Sequence, residues 1–326
     1  MKFVKIAGLG KYLPSKRLLN SDLEKMVDTS DEWIIARTGI KERRIAEEGV
    51  GASSLAHKAS QIALERAGID PKDLDLIIVA TITPDTQFPS TACYLQDYLQ
   101  AKNAVCFDIS AACAGFVYAL VNAWQLIRGG LYKNALVVGA EVLSTITDWE
   151  DRSTCVLFGD GAGAAVLTES AEPGFLSAYL GSDGSQTDIL NMPGGGSRNP
   201  ISPEVIDKRM NYMKMKGNEI FKIAVRIMVE AASKALARAD LERSSVDILI
   251  PHQANERIIT AVAKRLSIPK DKVYVNIARY GNMSSASSAI ALCEAWEDKR
   301  INPNDIVVLD AFGGGLVWGS CVIKWM

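Results

Sequence analysis

The feature that most constrains this chain is that it resembles itself. The segment "ALERAGIDPKDLDLIIVA", beginning at Ala63, aligns without gaps with "ALARADLERSSVDILIPH", beginning at Ala235. Each reads as a helix ending in Arg-Ala, a turn, and an apolar strand led by Asp. The next units correspond at nearly the same offset. "VCFDISAAC" precedes a small-residue run from Cys113, and "VYVNIARYGN" precedes another from Asn282. Strand-like "ALVVGA" (135–140) and "DIVVLDA" (305–311) then follow. Three matches in the same order imply two duplicated βαβαβ-type halves, and strand-like runs alternating with helical ones make the chain α/β. The seam falls near "TESAEPGF", giving an N-terminal half over 1–172 and a C-terminal half over 173–326. The stretch 181–220 fits neither half. Its "NMPGGGSRNP" is a Gly/Pro loop, so 184–215 is expected to be an excursion beside an entrance.

Composition narrows the function classes. At 326 residues and 48% hydrophobic content the chain can bury a large core. Its apolar runs are strand-length, too short to cross a bilayer. "MKFVKIAGLG" reads as a first strand and not as a secretory signal, so the expectation is a cytoplasmic protein with no membrane association. The net charge of −2 argues against nucleic acid as a partner. The charge is uneven, however: between Lys208 and Arg226 six basic residues face one acid, Glu219. Six scattered cysteines without a CxxC pair are expected to be reduced thiols, and two histidines leave little for a zinc site.

Three constellations carry chemistry. Cys113 follows the strand-like "AVCFDI" and precedes a run in which Phe116, Leu120, Ala123 and Leu126 share a helical face. A thiol at a helix N-terminus is expected to have its pKa lowered from about 8.5. Read alone, it is more readily a buried structural thiol, the reading given to the other five; Cys106 and Cys155 fall in strand-like runs, Cys93 and Cys293 in helical ones. His252 directly follows the buried strand of "VDILIPHQANERII", ahead of a helix from Glu256. The duplication places it at one end of a sheet, where α/β sites form. His57 sits in a plain amphipathic helix and receives no role. Asn282 heads the C-terminal helix as the counterpart of Cys113, and its ordinary reading is an N-cap. Glycine-rich "FGGGLVWGS" (312–320) is either a tight turn or a source of bare N–H groups for an oxyanion. Neither it nor "GDGAGAAVL" (159–167) has dinucleotide-binding spacing.

With Cys113, His252 and Asn282 set in duplicated halves, the chain resembles the thiolase superfamily. It is most similar there to the β-ketoacyl-acyl-carrier-protein synthase III family, from "GLGKYLPSKRLLNSDLEKMVDTSDEWIIARTGIKERR" to "FGGGLVWGS". The resemblance implies a thiolase-like fold with two βαβαβαββ-type halves in a five-layered αβαβα sandwich. It implies a condensing enzyme that initiates type II fatty-acid synthesis. Cys113 would be acylated by a short acyl-CoA, acetyl-CoA by expectation. His252 and Asn282 would stabilise the enolate formed as malonyl-acyl-carrier protein loses CO₂. The backbone N–H groups of Cys113 and Gly314 would form the oxyanion hole.

The same resemblance assigns Trp33 and Arg152 to the adenine of coenzyme A, and Thr29, Arg37 and Asn255 to the rest of its channel. Phe88, reaching across a homodimer, and Phe312 would bound the acyl group. Lys222, Arg257, Lys264 and Arg265 would receive the acidic carrier protein. No metal and no permanently bound cofactor is implied; coenzyme A enters as a thioester substrate. Elongating synthases would need a second His where only His57 remains, and biosynthetic thiolases a second Cys where Phe312 stands. 3-Hydroxy-3-methylglutaryl-CoA synthase would need a Glu acid in a matching motif. Chalcone synthase shares the Cys-His-Asn set, but the length and "DTSDEWI" favour the initiating synthase. A thioester hydrolase would need water at the acyl-cysteine, and a non-catalytic acyl-CoA binder would be expected to lack one of the three.

Overall fold

A computed structural model describes all 326 residues. The first sheet is built from β1 (Phe3–Tyr12), β2 (Leu76–Ala80), β3 (Val105–Ile109), β4 (Asn134–Val142) and β5 (Asp160–Ser170), in the order β1-β5-β4-β2-β3. β2 runs parallel to β3 and β4, and β5 antiparallel to β4 and β1. The second sheet holds β6 (Phe175–Ser182), β7 (Ile248–Pro251), β8 (Ile306–Gly313) and β9 (Val317–Lys324), in the order β6-β9-β8-β7. Its directions repeat the first: β7 is parallel to β8, and β9 antiparallel to β8 and β6. β2, inside the first sheet, and β7, at the border of the second, are buried at every position, which is why "LIIVA" and "ILIP" read as unbroken apolar runs.

The repetition fails at one edge. The counterpart of β3, expected from "VYVN", makes only a single parallel bridge, Leu249 to Val273. The buried side chain of Gln253 replaces the missing ladder. Its Nε2 donates to the carbonyls of Pro251 and Tyr274, at 2.7 and 3.2 Å, and its Oε1 accepts the Asn276 N–H at 2.9 Å.

Seven helices complete the layers: α1 (Asp31–Thr38), α2 (Ala52–Ala67), α3 (Thr91–Leu99), α4 (Gly115–Arg128), α5 (Gly217–Arg238), α6 (Glu256–Leu266) and α7 (Ser285–Glu297). α2 and α3 cover the outer face of the first sheet, α5 and α6 that of the second. α4 and α7 lie between the sheets, giving the five layers αβαβα. The largest apolar cluster, 34 buried residues, is this central layer, so the middle of the molecule is where water is most fully removed. α7 reaches the first sheet because facing residues are small. A Cβ added at Gly139 would stand 2.7 Å from the Ser285 carbonyl oxygen, and one at Gly163 2.6 Å from Ala289 Cβ.

The excursion 184–215 contains a two-strand ribbon, Leu190–Asn191 with Lys214–Met215, and a short helix, Pro203–Asp207. Arg209 ties it to the first half through Asp148 and Glu150. That pairing changes the expected basic segment. Lys208 meets Glu204, Lys214 meets Asp148 and Lys216 meets Asp188, leaving only Lys222 and Arg226 of the six without a carboxylate. All six cysteines are unbridged. Cys155 lies in a short helix, Arg152–Cys155, and not in the strand its apolar surroundings suggested. No helix is long and apolar enough to cross a membrane.

Candidate active site

β3 delivers Cys113 to the centre of the molecule. Beyond Ile109 the chain turns sharply at Ala112, whose φ of +42° is rare for a residue other than glycine. Ala112–Ala114 form a 3₁₀ turn, so Cys113 precedes α4 by two residues. The thiol is buried and lines a cavity of about 470 Å³. The lowered pKa expected of a helix N-terminus is overturned here. Burial pushes the Cys113 thiol up to about 12, the Ser284 hydroxyl partly opposing this and the Glu141 carboxyl adding to it. A helix dipole supplies about 1 kcal/mol, whereas taking a charge out of water costs several. At neutral pH Cys113 is therefore a thiol.

His252 directly follows β7, and its N–H donates to the Asp310 carbonyl at 2.8 Å. The imidazole is buried, and neither ring nitrogen has a partner within the chain. Burial lowers its pKa to about 3, so the ring is neutral and carries one N–H donor. Asn282 lies in the same cavity, but it is not the expected N-cap: α7 begins at Ser285, with Ser284 in the cap position. The Asn282 backbone is held by the Leu157 carbonyl and the Gly159 N–H, at 2.9 and 3.0 Å. Its Oδ1 accepts the Ser284 N–H at 2.8 Å, and no chain oxygen accepts from its Nδ2. A thiol, a neutral imidazole and a free amide thus face one space. Twenty of its thirty lining residues are hydrophobic, so each dipole acts in a largely dry environment.

The glycine-rich run ends β8 and turns into β9 beside the cysteine. Gly313 packs so closely that a Cβ there would stand 2.6 Å from the Cys113 nitrogen. Gly314, Gly315 and Phe312 also line the cavity.

Residues 107–184 match the family profile described as 3-oxoacyl-[acyl-carrier-protein (ACP)] synthase III, and residues 236–325 match the profile of its C-terminal part. A β-ketoacyl-[acyl-carrier-protein] synthase III of Desulfitobacterium hafniense is 56% identical over 326 residues, covering 100% of this chain and 98% of the relative. Another, from Clostridioides difficile, is 52% identical over 98% of both chains. The crystal structure of the Aquifex aeolicus 3-oxoacyl-[acyl-carrier-protein] synthase III superposes with a TM-score of 0.92 at 50% identity, covering 99% of this chain and 100% of that one. The chain belongs to the β-ketoacyl-acyl-carrier-protein synthase III family. It is accordingly a condensing enzyme, an acyltransferase of fatty-acid synthesis with the thiolase fold.

The remaining residues singled out in this synthase fall into three places. Asn255 lines the cavity, caps α6 by accepting the Arg257 N–H at 2.9 Å, and donates to the Arg37 carbonyl at 3.0 Å. Trp33 is close by on α1, with the Arg152 guanidinium 5.0 Å and that of Arg37 6.0 Å from its ring centre. Thr29 precedes α1, its hydroxyl buried without a partner. Thr29, Trp33, Arg37 and Arg152 lie outside the cavity, in the region Asn255 links to it. Phe312 lines the cavity, but Phe88 is 85% exposed and touches no part of it within one chain. Lys222 on α5 and Arg257, Lys264 and Arg265 on α6 are exposed and unpaired. Arg257 stands 5.5 Å from the ring centre of Phe221, which lines the cavity.

Sequence reasoning passed over several residues. Met192, Met213 and Met215 of the excursion and Met228 of α5 shape the cavity wall. The only sequence signal for the first three was that 184–215 belonged to neither half. Ser284 and Glu141, both beside Cys113, were also missed.

Proposed function

We propose that the cavity performs a two-step condensation in which Cys113 is first acylated by a short acyl-CoA, acetyl-CoA among them. A malonyl-acyl-carrier protein then loses CO₂, and its carbanion attacks the acyl-Cys113 carbonyl to give a β-ketoacyl-acyl-carrier protein. The observation carrying this reading is the convergence of the Cys113 thiol, the neutral His252 ring and the unpartnered Asn282 amide in one apolar space. A neutral imidazole that scarcely binds a proton suits a hydrogen-bond donor to an enolate oxygen, worth several kcal/mol in a dry site. In the acyl-transfer step the N–H groups of Cys113 and Gly314 receive the oxyanion.

Coenzyme A runs along Thr29, Trp33, Arg37, Arg152 and Asn255. For its adenine to stack between Trp33 and Arg152, their present 5.0 Å spacing must open to about 7 Å, two ordinary contact distances. The carrier protein docks on Lys222, Arg257, Lys264 and Arg265, in support of which these are cations without internal partners. Two copies pair along β3, an edge strand with exposed Val105 and Phe107, and Phe88 of each reaches the other's acyl pocket. Both substrates are soluble and cytoplasmic, and the enzyme works there.

Acetyl-CoA should add one acetyl group to the wild-type chain, seen by intact-protein mass, and none to Cys113→Ala. His252→Ala and Asn282→Ala should lose malonyl-carrier-protein decarboxylation while keeping much of the acetyl transfer. Labelling that persists in Cys113→Ala, or equal loss of both half-reactions, overturns the assignment.

A further inference from the structure

Arg43 is the largest side chain that the fold removes completely from water, and none of the chemistry above uses it. It lies on a two-stranded ribbon, Lys16–Leu19 with Glu42–Ile45, beside the approach to α7. Taking a guanidinium out of water is strongly unfavourable unless a well-placed partner offsets it, yet this one bonds to no carboxylate. Nη1 donates to Asn20 Oδ1 at 2.5 Å and Nη2 to the Val156 carbonyl, while Nε has no partner. A negative charge reaches it at one remove, because Asn20 Nδ2 donates to Asp31 Oδ1 at 2.7 Å. Burial lowers the Arg43 pKa to about 10, so the group is still a cation at neutral pH.

What this buried cation holds is the segment that holds Asn282. The Val156 carbonyl opens the run 156–159, which passes alongside Gly281 and Asn282. The Leu157 carbonyl accepts the Asn282 N–H at 2.9 Å, the Gly159 N–H donates to the Asn282 carbonyl at 3.0 Å, and Phe158 forms a parallel bridge to Asn282. The stem of Arg43 closes the other side. A Cβ at Gly159 would stand 3.3 Å from Arg43 Cβ. One at Gly281, where φ is +70°, would stand 3.2 Å from Arg43 Cγ and 2.6 Å from the Leu157 carbonyl oxygen. The two glycines leave the room that this approach needs.

Leu157, Phe158 and Asn282 line the cavity, and Arg43 does not. It stands behind the wall that carries the amide. The direction of that amide follows from its backbone, because Asn282 Oδ1 is already taken by the N–H of Ser284, itself held at φ +47°. A methionine would fill much of the same space with no charge to desolvate, but it has no donor for the Val156 carbonyl.

We propose that Arg43 is a positioning residue for the decarboxylation step: it fixes the backbone of 156–159, and through it sets the Asn282 amide where the enolate oxygen develops. A donor fixed in advance stabilises a developing charge only where that charge appears, so a shift of about 1 Å costs up to about 10²-fold in rate. The groups of the acyl-transfer step sit on other elements, the turn before α4 and the end of β8, so that half-reaction does not depend on Arg43. This inference rests on the reading of Asn282 as a donor to the enolate.

Arg43→Met keeps much of the volume and removes the charge and both donated bonds. Pre-acetylated Arg43→Met should release CO₂ from malonyl-carrier protein about 10²-fold more slowly at saturation, with KM near that of wild type. Acetyl transfer to Cys113, read by intact-protein mass, should stay near the wild-type rate. Arg43→Lys keeps a cation, but a single ammonium does not serve Asn20 and Val156 as the planar fork does, so its rate should fall between the two. Urea denaturation shows whether each variant folds, and Arg43→Lys carries the test if Arg43→Met does not. In an Asn282→Ala background the Arg43 substitution should slow decarboxylation no further, because the group it positions is gone. Wild-type decarboxylation by the folded variant, equal loss of both half-reactions, or additive losses in the double variant overturns the proposal. Wild-type decarboxylation by Asn282→Ala overturns instead the reading on which it rests.

Discussion

Gly313→Ala tests how tightly the end of β8 sets the position of the nucleophile. The added methyl would lie 2.6 Å from the Cys113 nitrogen, 3.1 Å from Ala112 Cβ and 3.2 Å from Cys113 Cβ. Ordinary contact begins near 3.5 Å, so about 0.9 Å must be found against the amide nitrogen. Neither side yields easily. Gly313 is paired to Val317 of β9, and the Cys113 amide belongs to a turn wedged under α4. The displacement therefore falls on the sulfur proposed to be acylated and on an N–H proposed to hold the oxyanion. A misplacement of about 1 Å costs up to about 10²-fold in rate, or about 2.7 kcal/mol of barrier. Overpacking removes a further 1–3 kcal/mol or so of stability. Rapid-quench acetylation read by intact mass, with urea denaturation alongside, measures both. Gly196→Ala is the control, because a Cβ there meets nothing within 4 Å. Wild-type acylation by Gly313→Ala at unchanged stability would refute the rigid coupling of strand end and cysteine turn.

Three further outcomes follow from the buried and rim groups. His252 titrates near 3 when folded but near 6.5 when unfolded, so the unfolded chain binds more protons in between and stability falls as pH drops through 6.5. Between pH 7 and 5 the loss is about 2 kcal/mol; urea denaturation should show it in wild type and not in His252→Gln, and equal slopes would refute it. Trp33→Ala should raise the KM for acetyl-CoA about tenfold with little change in saturated rate, since one base stack is worth about 1–3 kcal/mol; an unchanged KM removes Trp33 from the channel. Asp310 is fully buried with both oxygens unpartnered, and burial raises its pKa well above the usual carboxylate range. Its penalty grows as pH rises above about 4, so Asp310→Val should stabilise the chain by about 1–3 kcal/mol at pH 7 and by less at pH 4; a destabilised variant refutes this.

The repeated segments at 63–80 and 235–252 pointed to two βαβαβ-type halves, and the two sheets do repeat their strand directions, whereas the five-layered packing was implied only by the family resemblance. They also brought His252 to the end of β7 and Asn282 to the approach of α7. The misreadings concern quantities that depend on packing. The pKa of Cys113 was taken from its place near a helix start, whereas the removal of water from the central layer decides it. Lys208, Arg209, Lys214 and Lys216 read as a positive run because their carboxylate partners, Asp148 among them, are distant in sequence or hidden in the excursion. Cys155 looked like a strand residue because its neighbours are apolar, but a helix turn buries them equally well. Ser284 gave no signal, since a strained φ has no signature in a run of serines.

The side chain of Gln253 has a consequence for assembly. A sheet edge that accepts a partner strand is also a point from which a chain of molecules can grow. Had both halves kept the strand beyond the central one, each copy would present two such edges at opposite ends, and copies could string together without limit. Gln253 occupies the backbone groups of Tyr274 and Asn276 internally, so the second half ends where the first continues. β7 is left without the full partner strand that β3 supplies to β2, so the edge along which two copies are proposed to pair has no equivalent in the second half. The divergence of the two halves thus gives the two sheets different borders, and the side chain that makes the difference is next to His252 in sequence.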